Sequence, residues 1–229
     1  MTKVVCVGCS WTDGFGDHEV ENTYPYIIKE NFPDWEVFNL GLRGCNNYFI
    51  NIILERAIER IRPDFVIHQV TNWNRWMYYD LEYYVDLFLQ DTDIPGYYTL
   101  DSHRYVKDIA MWTVSCLSHP YPKILSKTEI SRRGQLRIDH YNLTSTGLVY
   151  ELEDMSLYKT EALLKNVPHM MLFWRDNKQC LPSFKRWNRY PCVERDLGFD
   201  LVVDEGKHFL KDGNTQLVEK MILPRLMNV

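Results

Sequence analysis

The stretch "VVCVGCSWTDGFG" (residues 4–16) carries an apolar run into a turn crowded with glycine, and that turn holds Ser10 between Cys9 and Trp11. Near the other end of the chain, "VVDEGKHFLKDGN" sets His208 shortly after Asp204 and Glu205. A serine hydroxyl is a poor nucleophile until a base takes its proton. An imidazole does this near neutral pH and can then protonate a leaving group. A carboxylate completes the set by fixing the imidazole tautomer and stabilising the cation that forms. Asp204 and Glu205 both stand close enough in sequence, and the choice between them is open. The chemistry available to such a group is acyl transfer through serine. Taken singly, Ser10 and Thr12 are also ordinary turn or capping residues.

These residues need a scaffold that brings distant turns together. "KVVCVG" (3–8) reads as a short strand buried on both faces. "NTYPYIIKENF" follows as a helix with Pro25 near its start, "DWEVFNLG" as a second strand, and "NNYFINIILERAIERI" as an amphipathic helix closed before Pro63. "DFVIHQVT" is a third strand. Strand, helix and strand in alternation imply parallel pairing with right-handed crossovers, so the predicted fold is an open α/β sheet covered on both faces. Further on, "EDMSLYKTEALLKN" reads as a helix, "VPHMMLFW" and "FDLVVD" as strands, and "HFLKDGNTQLVEKMILPRLM" as a terminal helix. Between about residues 76 and 150 the rhythm breaks. "MYYDLEYYVDLFLQ" and "YVKDIAMWTVSCLS" have helical spacing, and the region reads as an aromatic insertion above the sheet within one domain spanning 1–229.

Ligands of an open parallel sheet bind beyond the carboxyl ends of its strands. Four polar turns follow strands in this chain: the Ser10 turn, "GLRGCNN" with Gly44, "TNWNR" with Asn72 and Asn74, and "DEGKH" with His208. All four should meet on one rim.

In this order the four turns resemble the sequence blocks of the SGNH (GDSL-type) hydrolases. "GCSWTDGFG" is similar to their first block, with Cys9 where an aspartate is commonest. "FNLGLRGCNN" is similar to the second, and "EGKHFLKDGN" to the last. "TNWNR" stands where their oxyanion asparagine is expected, without the usual Gly-x-Asn-Asp. The resemblance implies a three-layer, flavodoxin-like α/β sandwich and a serine esterase that needs no cofactor or metal. It implies Ser10 as nucleophile, His208 as base and Glu205 or Asp204 as the acid. The amides of Ser10 and Gly44 and the carboxamide of Asn72 or Asn74 are then the oxyanion donors. Glycine at 44 would let substrate approach the backbone closely.

Composition narrows the partners. A net charge of −5 provides no general basic field, so nucleic acid is not expected. The apolar run after Lys3 is too short for a signal peptide, and no segment approaches a membrane span, so a cytoplasmic protein is expected. Six cysteines scattered along such a chain read as free thiols rather than disulfides. Cys6 and Cys9 form a C-x-x-C, but Cys6 lies inside a strand, which argues against a redox pair. The other histidines, His68 in the third strand among them, have no partner at ligand spacing. The substrate expected is a small ester or an acylated carbohydrate, with Tyr84, Trp187 and the basic segment "FKRWNRYPCVER" as candidates to hold a sugar. Two other classes compete: a non-catalytic module binding a carbohydrate or protein at the same rim, and a nucleotide-binding protein. The second lacks a phosphate-loop lysine and a dinucleotide fingerprint.

Overall fold

The computed structural model describes residues 1–14, 20–43, 45–71, 75–78, 86–101, 112–115, 146–174, 183–198 and 209–227. The first strand, β1 (Lys3–Gly8), pairs in parallel with β2 (Glu36–Gly41) on one side and β3 (Phe65–Val70) on the other. Val4, Val5, Cys6 and Val7 are wholly buried, as expected of a central strand covered on both faces. The β1–β2 register closes on Gly8 opposite Gly41, so the turns carrying Ser10 and Arg43 leave the sheet side by side. Strand β8 (His169–Phe173) joins in parallel beyond β3. With β5 (Leu89–Asp91) and β6 (Tyr97–Leu100) beyond β2, the described order is β5-β6-β2-β1-β3-β8, whose β2-β1-β3-β8 run has the doubly wound, flavodoxin-like arrangement with a topological switch beside β1.

Helices cover both faces. A single turn, α1 (Ser10–Asp13), follows β1, and α2 (Tyr24–Asn31) starts at Thr23, whose hydroxyl accepts from the Tyr26 amide at 3.4 Å. Helix α3 (Asn47–Ile61) begins at the Asn46 cap, which accepts from the Phe49 amide at 2.9 Å. It ends at Arg62 in the left-handed region, with Pro63 next. Its stripe of Ile50, Ile53, Leu54, Ala57 and Ile61 packs on Val5, Val7, Val66 and Val70, together with Leu157 of α4 (Thr146–Leu163). The opposite face of the sheet, with Val4, Cys6 and Ile67, is covered by Tyr24 and Ile28 of α2 and by the C-terminal helical segment. That segment runs through α7 (Lys211–Leu217), a π-type turn (Val218–Ile222) and α8 (Leu223–Leu226), after the short helices α5 (Phe184–Trp187) and α6 (Val193–Leu197). The result is the expected three-layer α/β sandwich.

The region after β3 departs from its helical reading. Arg75–Tyr78 is strand β4, paired antiparallel with Trp112–Ser115, strand β7. Leu89–Asp91 and Tyr97–Leu100 are strands β5 and β6. Strand β6 joins β2 in parallel and so extends the main sheet, with β5 antiparallel at the edge. Tyrosine, tryptophan, threonine and valine favour a pleated surface, and their spacing suits either period in short windows. Gly96, at φ +73°, reverses the chain between β5 and β6. The strand expected at "FDLVVD" lies outside the described residues.

Candidate active site

Ser10 opens α1 directly after β1, with Cys9 extended at its cap and Gly14 closing the turn at φ +86°. The tight reversal leaves Ser10 only 6% exposed, with its hydroxyl 3.9 Å from Cys9 Sγ. The turn is held from beneath by a residue that sequence reading passed over. Gln69, wholly buried in β3, accepts through Oε1 from the Cys9 amide at 2.9 Å and from the Thr12 hydroxyl at 3.2 Å. Its own amide donates to the Val70 carbonyl at 2.9 Å, which fixes the orientation of the carboxamide. Thr12 lies 3.1 Å from the Tyr24 hydroxyl. Thr12 gives its one hydroxyl proton to Gln69, so Tyr24 is the donor to Thr12, and burial pushes the Tyr24 phenol well above its ordinary value.

Gly8 and Gly41 are required by this packing. A Cβ on Gly8 would lie 2.6 Å from Gln69 Oε1, and one on Gly41 would lie 2.6 Å from the Asp13 Cα. The two glycines let the Ser10 turn lie flat on the end of β2. The loop leaving β2 is tied to the same strand end. The Leu42 amide and the Cys45 thiol both donate to the Gly8 carbonyl, at 3.0 and 3.4 Å. Arg43 pairs with Asp13 at 2.5 Å. Burial raises the Asp13 carboxyl despite this pairing. Residues on both sides of position 44 are thus bound to the Ser10 turn or its base, while Gly44 itself lies outside the described residues.

The third loop begins at Thr71. Its amide donates to Asn47 Oδ1 at 2.9 Å, and its carbonyl accepts from Asn47 Nδ2 at 3.2 Å. Asn72 and Asn74 follow, outside the described residues. The fourth loop is reached through aromatic rings. Trp11 stands edge-on to Trp174 at the end of β8, centroids 3.8 Å apart, and edge-on to Phe209 at 5.3 Å. Phe209 is held by the motif that follows it. Asn214 Nδ2 donates to the Phe209 carbonyl at 3.2 Å and to that of Asn22 at 2.7 Å, and a Cβ on Gly213 would press on the Phe209 ring at 3.0 Å. Asp204, Glu205 and His208 lie outside the described residues.

Two sequence expectations change. Trp187 offers no face to a sugar, because it is wholly buried against Tyr158 and donates its indole N–H to Asp154. Two arginines of the basic segment are taken up by α4 and its surroundings, Arg186 and Arg189 both binding Glu161 and lying over the rings of Tyr158 and Tyr190. Tyr84 lies outside the described residues. Cys6, Cys9, Cys45 and Cys192 are buried thiols outside any disulfide, and burial raises the Cys6 thiol, which is the opposite of what a redox thiol requires. Among the described residues no three metal-ligating side chains cluster, and no helix is long and apolar enough to cross a membrane.

No protein-family model and no curated protein sequence matches the chain. Solved structures do. One is a lipolytic protein of the G-D-S-L family from Veillonella parvula, 11% identical, with a TM-score of 0.46, covering 100% of this chain and 98% of that one. Another is a putative lipolytic protein of the same family from Desulfitobacterium hafniense, 14% identical, with a TM-score of 0.42, covering 96% and 97%. A third is a two-domain esterase active on acetylated mannans, 15% identical, with a TM-score of 0.45, covering 99% of this chain and 48% of that one.

Proposed function

We propose that the chain is an SGNH-type serine esterase. The observation that carries this reading is the contact of Trp11 with Phe209: the residue after the candidate nucleophile packs on the residue after the candidate base. Trp11 and Phe209 stand nearly two hundred positions apart in sequence and follow Ser10 and His208 directly, so their contact supports pairing those two residues in one site. The ties of Leu42 and Cys45 to Gly8, and of Thr71 to Asn47, bring the flanks of Gly44 and the start of the Asn72 and Asn74 loop to the same rim.

In the mechanism, Ser10 Oγ attacks the acyl carbon of an ester while His208 takes its proton. The amides of Ser10 and Gly44 and the carboxamide of Asn72 or Asn74 stabilise the oxyanion. Each such donor typically contributes about 3–4 kcal/mol. The alcohol leaves with the proton from His208, forming the acyl-enzyme, and water attacks it with His208 again acting as base. Asp204 or Glu205 orients the imidazole. The substrate is a small ester, with acylated carbohydrates as the wider class.

The test is labelling with a small fluorophosphonate, mapped by peptide mass spectrometry, beside Ser10→Ala and His208→Ala controls. An adduct on Ser10 that depends on His208 is expected. A folded protein that stays unlabelled while a known serine hydrolase reacts would overturn the esterase reading and assign the rim to binding.

A further inference from the structure

Asn47 occupies the first position of α3, three residues after Gly44, and is wholly buried. Strand β3 is laddered to β1 as far as His68 and to β8 as far as Val70, so Thr71 lies past both ladders. The Asn47 carboxamide takes their place. It receives the Thr71 N–H and donates to the Thr71 C=O, the two-way pairing a neighbouring strand would offer. The loop with Asn72 and Asn74 therefore starts from a residue fixed by the helix that the Gly44 loop enters.

The carboxamide is itself oriented. Asn47 Nδ2 also donates to Glu153 Oε1 on α4, a carboxyl group in the buried α3–α4 seam. With Nδ2 engaged by Glu153 and the Thr71 carbonyl, Oδ1 is left to receive the Thr71 amide. A reversed carboxamide would oppose like groups at both Thr71 contacts. One turn further along α3, Asn51 makes a comparable seam contact. Its Nδ2 donates to the Ser156 carbonyl at 2.8 Å and its Oδ1 accepts from Thr160 at 2.7 Å. No hydrogen bond from Asn51 to β3 or the loop beyond it accompanies these bonds among the described residues, which separates bracing of the seam from control of the rim.

We propose that Asn47, held in orientation by Glu153, is the positioning residue that couples the two oxyanion loops, setting the third loop relative to the loop at Gly44. This rests on the esterase reading above. A donor displaced by a fraction of an ångström loses contact with an oxyanion that exists only in the transition state, so the loss falls on kcat rather than on KM.

The test is steady-state hydrolysis of p-nitrophenyl acetate, with unfolding midpoints measured in parallel. Asn47→Asp replaces the donating NH2 by oxygen and is expected to lower kcat by about tenfold or more with KM within about twofold. Glu153→Leu should do likewise, whereas Glu153→Gln, which keeps an acceptor for Asn47, should remain within about twofold of wild type. Asn51→Ala should lower the unfolding midpoint and leave kcat within about twofold. Should Asn47→Asp fail to fold, the Glu153→Leu and Glu153→Gln pair decides. Unchanged kcat in Asn47→Asp or Glu153→Leu, or a loss in Asn51→Ala matching theirs, would overturn the proposal while wild type remains active. A wild type that neither hydrolyses the ester nor labels at Ser10 removes the esterase reading, and the positioning role falls with it.

Discussion

The ring of Phe209 stands at 87° to that of Trp11, centroids 5.3 Å apart, with Trp174 against both. Edge-to-face aromatic pairs are directional as well as apolar, so this cluster sets how the C-terminal segment approaches the Ser10 turn. Phe209→Ala removes the ring and leaves a cavity under Gly213. We expect a loss of about 3 kcal/mol in unfolding free energy and, in the fraction that remains folded, at least about a tenfold fall in the rate of fluorophosphonate labelling at Ser10. Labelling at the wild-type rate would show that His208 is positioned by other contacts.

Gln69 gives a second prediction. Its oxygen accepts from both the Cys9 amide and the Thr12 hydroxyl. Gln69→Leu keeps the volume but strips two buried donors of their acceptor. The expected cost is about 2 kcal/mol in urea unfolding, with slower acylation of Ser10 because the turn carrying it loses its support. Full stability in this variant would mean the turn finds a substitute acceptor.

The parts of the fold that sequence reading captured are those where one local pattern allowed one answer. Val4–Val7 is too short and too apolar for a surface helix, and the Asn46 cap and Pro63 bracket α3. Where two periods fitted equally, the reading failed. Trp112–Ser115 looked helical, yet it is the partner strand of Arg75–Tyr78, and its partner lies more than thirty residues away. The same reason hid Gln69 and Asn47. A buried carboxamide means nothing in a sequence until its partners are known, and Thr12 and Gln69 are 57 positions apart. The turn at Ser10 is legible because a glycine-bounded turn after a buried strand is a local signal. Gly44, Asn72, Asn74, Asp204, Glu205 and His208 were read from their places in similar turns and lie outside the described residues.

Gly41 tests the close contact between the Ser10 turn and β2. A methyl group there would meet the Asp13 Cα at 2.6 Å and the Thr12 carbonyl carbon at 2.7 Å. Both are backbone atoms, so relief requires the turn to lift off the sheet. Gly41→Ala is expected to cost about 2–3 kcal/mol and to abolish labelling of Ser10, measured by thermal unfolding and by the fluorophosphonate assay. Gly198→Ala is the control with open space around it, although its φ of +78° adds backbone strain without touching the site.

The buried titratable groups predict the pH dependence of stability. Glu153 is raised from 4.5 to about 8, chiefly because burial disfavours its charge, with Asp154 beside it adding to the rise and the Asn47 bond opposing it. The folded chain therefore holds a proton that the unfolded chain has released between pH 4.5 and 8, and the contribution of Glu153 to stability falls across that window by at most about 1.4 kcal/mol per pH unit. His68 is lowered from 6.5 to about 3 by burial, with His169 adding to the effect, and neither ring nitrogen has a hydrogen-bond partner among the described residues. Here the unfolded chain binds the extra proton, so the contribution of His68 rises with pH between 3 and 6.5, offsets that of Glu153 between 4.5 and 6.5, and is lost on acidification. Glu153→Gln should flatten the alkaline decline and be more stable than wild type at pH 8. His68→Leu should flatten the acid decline and cost little at pH 8, because it removes two unpaired polar atoms from the core. Urea midpoints measured from pH 4 to 9 check both, and curves parallel to wild type in either variant would mean that the corresponding group titrates alike in the folded and unfolded chain.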